Sequence, residues 1–412
     1  MAMDLKIKNA RLMRGEEEVV RNIYIKDGKI KRISEKDSGA GKTIDAQNNF
    51  VIPGVIDPHV HFREPGLSYK EDLGTGSRAA AAGGITTFLD MPNTIPPTLT
   101  YFDLEEKRFL AKKSIVNHGF YIGASRDNLS EIRKENSKGN VAGTKLFMNL
   151  STGKMMIEDA DTIRRVFDSS KLVAVHAEGP KVEQAILYSM RTKTPLYLCH
   201  ISSADELEKI REYRKENEWV MDNVFAEATP HHLFLTERDF REQGAFAKMI
   251  PSLKKKRDQN ALWKALEDGT INTIGTDHAP HTIQEKGAKK DQPAGVPGEE
   301  TMLPLMLDAV NRKKLSLKRL VQLTSKNPAA IFGIRNKGGL GEGYDADLTI
   351  IDMDLEKEVD NAKLKTKCGW SPFSGRKLKG WPVTTIAGGK VVFSHGKLYK
   401  NQGRETFFRR QK

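Results

Sequence analysis

A (β/α)8 barrel carrying a small β-sandwich built from both chain termini is the fold class that three observations predict. Between residues 51 and 340, short apolar strands alternate with longer amphipathic stretches, the mark of parallel β/α architecture. Eight such strands fit into that span, about the ~250 residues a barrel of this kind occupies. Both ends of the chain show only short strand patterns joined by turn dipeptides, with no helical period. The expected division is therefore 1–50 and 341–412 for the two halves of the sandwich and 51–340 for the barrel.

At the N-terminal end, apolar residues alternate over 5–8, 22–25 and 29–33, and Asp27-Gly28 is a hairpin signal between the last two. The C-terminal end answers with 346–351, 384–387 and 390–393, the last pair separated by Gly388-Gly389. In the middle, strands are expected to end near His61, Met91, Gly123, Phe147, His176, His200, Thr229 and Asp277, with helices over 104–113, 159–169, 204–216 and 258–268. A doubly wound open sheet is the alternative, but it would place a ligand at one switch point rather than draw a residue from many strands.

The composition excludes several classes. Of 412 residues, 38% are hydrophobic and 29% charged, as in a soluble globular protein, and no apolar run is long enough to span a membrane. The N-terminus lacks a signal-peptide core, and two cysteines, Cys199 and Cys368, cannot form a disulfide framework; both features suit a reducing cytoplasm. The net charge of +13 is spread along the chain, with short runs at 254–257 and at Lys289 and Lys290 that no aromatic residues accompany. That pattern is a solvated basic surface, able to attract a dianionic small substrate, rather than a nucleic-acid site.

The chemistry lies at the strand ends. Residues 51–65 read Val-Ile-Pro-Gly-Val-Ile-Asp-Pro-His-Val-His-Phe-Arg-Glu-Pro, an apolar strand that ends in His59 and His61. Residues two apart on a strand share a face, so both imidazoles can reach one metal ion. Leu-Val-Ala-Val-His176 and Leu-Tyr-Leu-Cys-His200 end likewise in histidine, Thr-Ile-Gly-Thr-Asp277 ends in aspartate, and Lys145 interrupts an otherwise apolar strand. In a barrel these ends converge on one mouth, where imidazole and carboxylate suit zinc or a similar divalent ion. Lys145 either snorkels to water or, as a neutral amine, reacts with carbon dioxide to give a carbamate that bridges two metals. By alternation, Cys199 is expected to turn away from His200 and pack; Glu227 could approach a metal.

These residues resemble the amidohydrolase superfamily. More narrowly, the stretches His59-Val-His-Phe-Arg-Glu-Pro-Gly66, Met91-Pro-Asn-Thr94, Pro230-His-His232 and Thr276-Asp-His-Ala-Pro-His281 are similar to the dihydroorotase family, over nearly the whole chain. The resemblance implies reversible cyclisation of N-carbamoyl-L-aspartate to L-dihydroorotate in pyrimidine synthesis, through a hydroxide shared by two zinc ions. It implies His59 and His61 on one zinc, His176 and His200 on the other, carboxylated Lys145 between them, and Asp277 as metal ligand and general acid/base.

Arg63, Asn93 and His281 match the positions that hold the substrate's α-carboxylate, with His61 beside them. Gly295 and Val296 match a backbone segment that contacts the ring, and Ser151 falls where the family has a mobile loop. His231 and His232 are expected as supports of the site rather than ligands, and His118 and His395 match nothing. The chain departs from the pattern at Ile250, where a polar residue is usual.

An aspartate transcarbamoylase is the candidate macromolecular partner, with neither nucleic acid nor membrane expected. The rival readings are another cyclic amidase (hydantoinase, dihydropyrimidinase or allantoinase) and a catalytically inactive scaffold. Arg63 with Asn93 and His281 discriminates against the first, and the intact metal set against the second.

Overall fold

The computed structural model describes residues 3–15, 17–150 and 155–409. Eight parallel strands form the barrel: Val55–Val60, Ile85–Asp90, Asn117–Phe120 continued by Ile122–Gly123, Thr144–Phe147, Val173–His176, Leu196–Leu198, Val224–Ala228 and Thr273–Ile274. The third strand breaks at Tyr121: its first half pairs with the second strand and its second half with the fourth. The ring closes where Val60 bridges His278 and the His61 N–H donates to the His278 carbonyl at 2.8 Å. Every barrel strand is buried along its inner and outer faces, apart from the partly buried Phe225, which explains why each reads as an apolar run rather than an alternation.

Helices cover the outside. The one expected over 204–216 is Ala204–Glu216, begun by Ser203 and Glu206, which satisfy each other's backbone N–H groups in a capping box. That expected over 104–113 starts earlier, as Tyr101–Leu110, because Thr100 and Asp103 form the same device, and it ends in the 3-10 turn Ala111–Lys113.

Both termini build one nine-stranded sheet. Leu5–Arg14, Glu17–Lys26, Lys29–Ser34 and Lys42–Asp45 come from one end; Leu348–Glu358, Lys377–Ala387, Lys390–Ser394 and Lys397–Leu398 come from the other. Ile7, Ile23 and Ile25 share an apolar core with Leu348, Ile350 and Ile386, which is what makes the two ends a single β layer system. Asp27-Gly28 and Gly388-Gly389 are indeed turns, each with two positive φ angles, the backbone a two-residue hairpin needs.

The stretch read as one strand over 51–65 is two. Phe50–Pro53 joins the halves of the terminal sheet, antiparallel to Leu348–Glu358 and parallel to Leu5–Arg14. Gly54 then hands the chain to the barrel strand. A Cβ at Gly54 would lie 2.1 Å from Thr86 Oγ1, so no other residue fits the crossing. Among the described residues, no helix is long and apolar enough to cross a membrane.

Candidate active site at the barrel mouth

The first strand sets His59 from within the backbone. Asp57, fully buried, accepts the N–H groups of His59 (3.1 Å) and Thr276 (3.0 Å) on Oδ1 and the Thr276 hydroxyl (2.5 Å) on Oδ2, tying the first strand to the eighth. His59 Nδ1 then lies 2.8 Å from Glu227 Oε1. Glu227 also accepts the His200 N–H (3.0 Å) and the Tyr197 hydroxyl (2.7 Å). With Nδ1 engaged, Nε2 of His59 faces Asp277 at 3.4 Å.

His61 repeats the arrangement: Nδ1 donates to Asn93 Oδ1 at 2.6 Å, and Nε2 sits 3.0 Å from Asp277 Oδ1. His59, His61 and Asp277 thus present ligand atoms within 4.8 Å of one another. Burial opposes a charged His59, but the carboxylates of Glu227 and Asp277 outweigh it and raise its pKa to about 10. Burial also works against the Asp277 carboxylate, yet His59 and His61 hold its pKa well below the usual range. The centre favours positive charge, which a divalent cation supplies.

The second group stands opposite. His176 Nδ1 and His200 Nε2 are 2.9 Å apart with the rings edge to face. Burial brings His176 down to about 3 and holds His200 well below its ordinary value, so both are neutral imidazoles, the form that binds metal. His176 Nε2, His200 Nδ1 and His231 Nε2 are buried without a hydrogen-bond partner among the described residues. An orphaned buried nitrogen costs roughly 1–3 kcal/mol. A metal ion would engage such atoms, so the donor set fits a metal centre.

Lys145 is 1% exposed, with Nζ 3.0 Å from Cys199 Sγ and above the Phe147 ring, and it forms no ion pair among the described residues. Cys199 packs as expected and keeps the alternation, sharing an apolar cluster with Tyr197 while Leu196 and Leu198 lie in another. The departure is at His200, whose φ of +39° brings its ring to the same mouth, and the Cys199 sulfur reaches Lys145.

On the rim, Arg63 (φ +66°) donates from Nε to the Pro280 carbonyl at 3.1 Å, and its Nη2 lies 3.1 Å from His281 Nε2. Lys70 can only donate to His281 Nδ1 (3.0 Å), so the His281 proton is on Nε2, directed to the Ala294 carbonyl at 3.0 Å. Burial lowers Arg63 to about 10, which leaves it a cation at neutral pH.

One cavity is lined by His59, His61, Arg63, Lys145, His176, His200, Asp277, Gly295 and Val296, with Phe147, Met249 and Ile250 forming an apolar side. Asn93 and His281 stand against two of these lining residues, His61 at 2.6 Å and Arg63 at 3.1 Å. His231 lines the cavity; His232 is held by Thr229 and the Pro251 carbonyl. His118 is buried against Phe88 and Phe120. Ser151 lies outside the described residues. The sequence reading passed over Asp57, Tyr197 and Lys70. An acidic residue two before His59 in an apolar strand was the available signal for the first.

Four histidines, a lysine and an aspartate at the C-terminal mouth of a (β/α)8 barrel define a barrel metallohydrolase. The chain belongs to the amidohydrolase family, whose model matches residues 50–392. It is 37% identical to a dihydroorotase of Methanosarcina mazei over 98% of this chain and 97% of that protein. It is 38% identical to a dihydroorotase of Methanosphaera stadtmanae, over 92% and 94% respectively. Among solved structures, an L-hydantoinase (dihydropyrimidinase) from Arthrobacter aurescens superposes with TM-score 0.92 at 32% identity, over 98% of this chain and 100% of that one.

Proposed function

We propose that this protein catalyses the reversible cyclisation of N-carbamoyl-L-aspartate to L-dihydroorotate. The observation that carries this reading is a single cavity in which Arg63 faces the His59–His61–Asp277 group. A carboxylate clamp beside a metal-type centre suits a cyclic amide that bears an acid, and the planar guanidinium can bind both carboxylate oxygens. The relatives named dihydroorotase support the same choice over the hydantoinase reading.

His59 and His61 would hold one zinc ion and His176 and His200 a second. Lys145 would bridge them as a carbamate, formed when its neutral amine adds to carbon dioxide with loss of a proton. Such ions would lower the pKa of a bound water and polarise the amide carbonyl. Asp277, kept ionised by its histidine neighbours, takes the proton from the carbamoyl nitrogen as that nitrogen bonds to the β-carboxyl carbon and passes it to the departing carboxyl oxygen, which with a further proton from solvent leaves as water. In the reverse reaction it takes a proton from the attacking water and gives it to the ring nitrogen as the C–N bond breaks. Arg63 holds the α-carboxylate with His281 beside it, the Pro280 carbonyl and Asn93 fix Arg63 and His61, and the backbone at Gly295 and Val296 borders the ring. In this reading 51–340 is the catalytic barrel and 1–50 with 341–412 the terminal β domain, the strand Phe50–Pro53 passing between them. The setting is cytoplasmic, in keeping with two free buried cysteines, and an aspartate transcarbamoylase is the partner to test.

Arg63→Met is expected to lower kcat/KM for dihydroorotate by about 100-fold, the loss of a charge-assisted contact, with metal content unchanged. Wild-type turnover in that variant would refute the clamp.

A further inference from the structure

Lys286 is a fully buried lysine that the chemistry above does not use. It ends the short helix Ile283–Lys286, and its Nζ makes hydrogen bonds only to backbone carbonyls: Gly295 at 2.8 Å, Pro293 at 3.0 Å and Lys248 at 3.2 Å. An ammonium has three protons, so these acceptors saturate it. The neighbouring carboxylate, Glu285, pairs with Lys70 instead. Burying a charge against carbonyls alone is expensive, and the position of those carbonyls shows what it achieves.

Lys248 leads into Met249 and Ile250, which line the cavity, and Pro293 and Gly295 belong to the neighbouring segment whose Ala294, Gly295 and Val296 line it as well. The two segments also meet directly, through the Gly295 N–H and the Lys248 carbonyl at 2.9 Å. The remaining carbonyls of the second segment are engaged as well, Ala294 by His281 and Val296 by the Ala279 N–H. Gly295 is at φ +131°, and a Cβ there would lie 2.5 Å from the Ala279 carbonyl oxygen, so the segment is pressed against the eighth-strand loop. Trp370 covers the ammonium at 5.5 Å and donates its indole N–H to the His281 carbonyl at 2.7 Å.

We propose that Lys286 is a positioning residue for substrate binding, a buried hydrogen-bond donor that fastens the 248–250 and 293–296 segments together and so sets the width of the ring pocket. The proposal rests on the substrate reading above for its kinetic consequence, though not for its structural one. A group that shapes the pocket without touching the reacting atoms contributes equally to ground state and transition state, so its loss raises KM and spares kcat.

The test combines kinetics with hydrogen exchange on the full-length, metal-loaded protein carrying Lys286→Met or Lys286→Gln. For Lys286→Met, KM for dihydroorotate is expected to rise by about tenfold with kcat within about threefold, and amide exchange across 292–297 to accelerate by about tenfold. Exchange in the strands Val173–His176 and Val224–Ala228, and metal per chain, are expected to stay unchanged. Lys286→Gln retains an N–H2 donor and is expected to fall between wild type and Lys286→Met; it decides the matter by the same measures if the methionine variant does not fold. Exchange and KM equal to wild type in the folded variants would overturn the proposal, as would a joint fall in kcat and metal content without a local change in exchange. Wild-type protein that ignores dihydroorotate would instead overturn the substrate reading, and the exchange data would still decide for Lys286.

Discussion

Glu227 Oε1 lies 2.8 Å from His59 Nδ1, and the same oxygen accepts the His200 N–H, so one buried carboxylate aligns histidines from two barrel strands. A carboxylate behind a ligating imidazole fixes its tautomer and raises its basicity. Glu227→Gln is expected to weaken metal binding about 10- to 100-fold, measured by chelator competition, with the fold intact by circular dichroism. Unchanged affinity would mean that His59 is oriented by other contacts.

Lys145 stands among the histidines and forms no ion pair with a carboxylate among the described residues. Lys145→Ala is expected to lose the second metal and most activity, with partial return on adding a short carboxylic acid that can take the place of a carbamate. Metal analysis before and after the addition checks this. Two tightly held ions in the alanine variant would contradict the bridging role.

Glu299 predicts a pH dependence of stability. It is fully buried at the start of the helix Glu299–Asn311, and neither carboxyl oxygen has a hydrogen-bond partner among the described residues. Burial, reinforced by Asp57, Glu71 and Glu300, raises its pKa well above the usual value. In the unfolded chain the group ionises near pH 4.3. Above that point the folded state holds the extra proton, so the free energy of unfolding falls as pH rises towards the folded pKa. Glu299→Gln has no proton to lose. Its Tm is expected to exceed wild type at pH 8 by at least about 2–4 °C and to vary less between pH 5 and 8. An equal loss of Tm at both pH values would contradict this.

What the sequence made legible was local. His176, His200 and Asp277 each close a short apolar run, so their place at a strand end could be read from four or five neighbours. The break at Gly54 could not, because it depends on Thr86 approaching from the next strand. Alternation held through Cys199, which packs with Tyr197, and broke at His200, where the strand has ended and a positive φ turns the ring back towards the mouth. Asn93 and His281 were legible only by motif, and each stands against a residue that lines the pocket, His61 and Arg63. Lys286 was invisible, since its meaning comes from carbonyls of segments far apart in the chain. Ile250, the departure from the family pattern, lines the cavity on its apolar side.

That apolar side, together with structural neighbours that are hydantoinases, makes substrate choice the decisive question. The direct measurement is kcat/KM of the zinc-loaded protein for L-dihydroorotate against a 5-substituted hydantoin that lacks a carboxylate. With Arg63 holding the acid, dihydroorotate is expected to be preferred by about 100-fold or more. Equal or better turnover of the hydantoin would contradict the account.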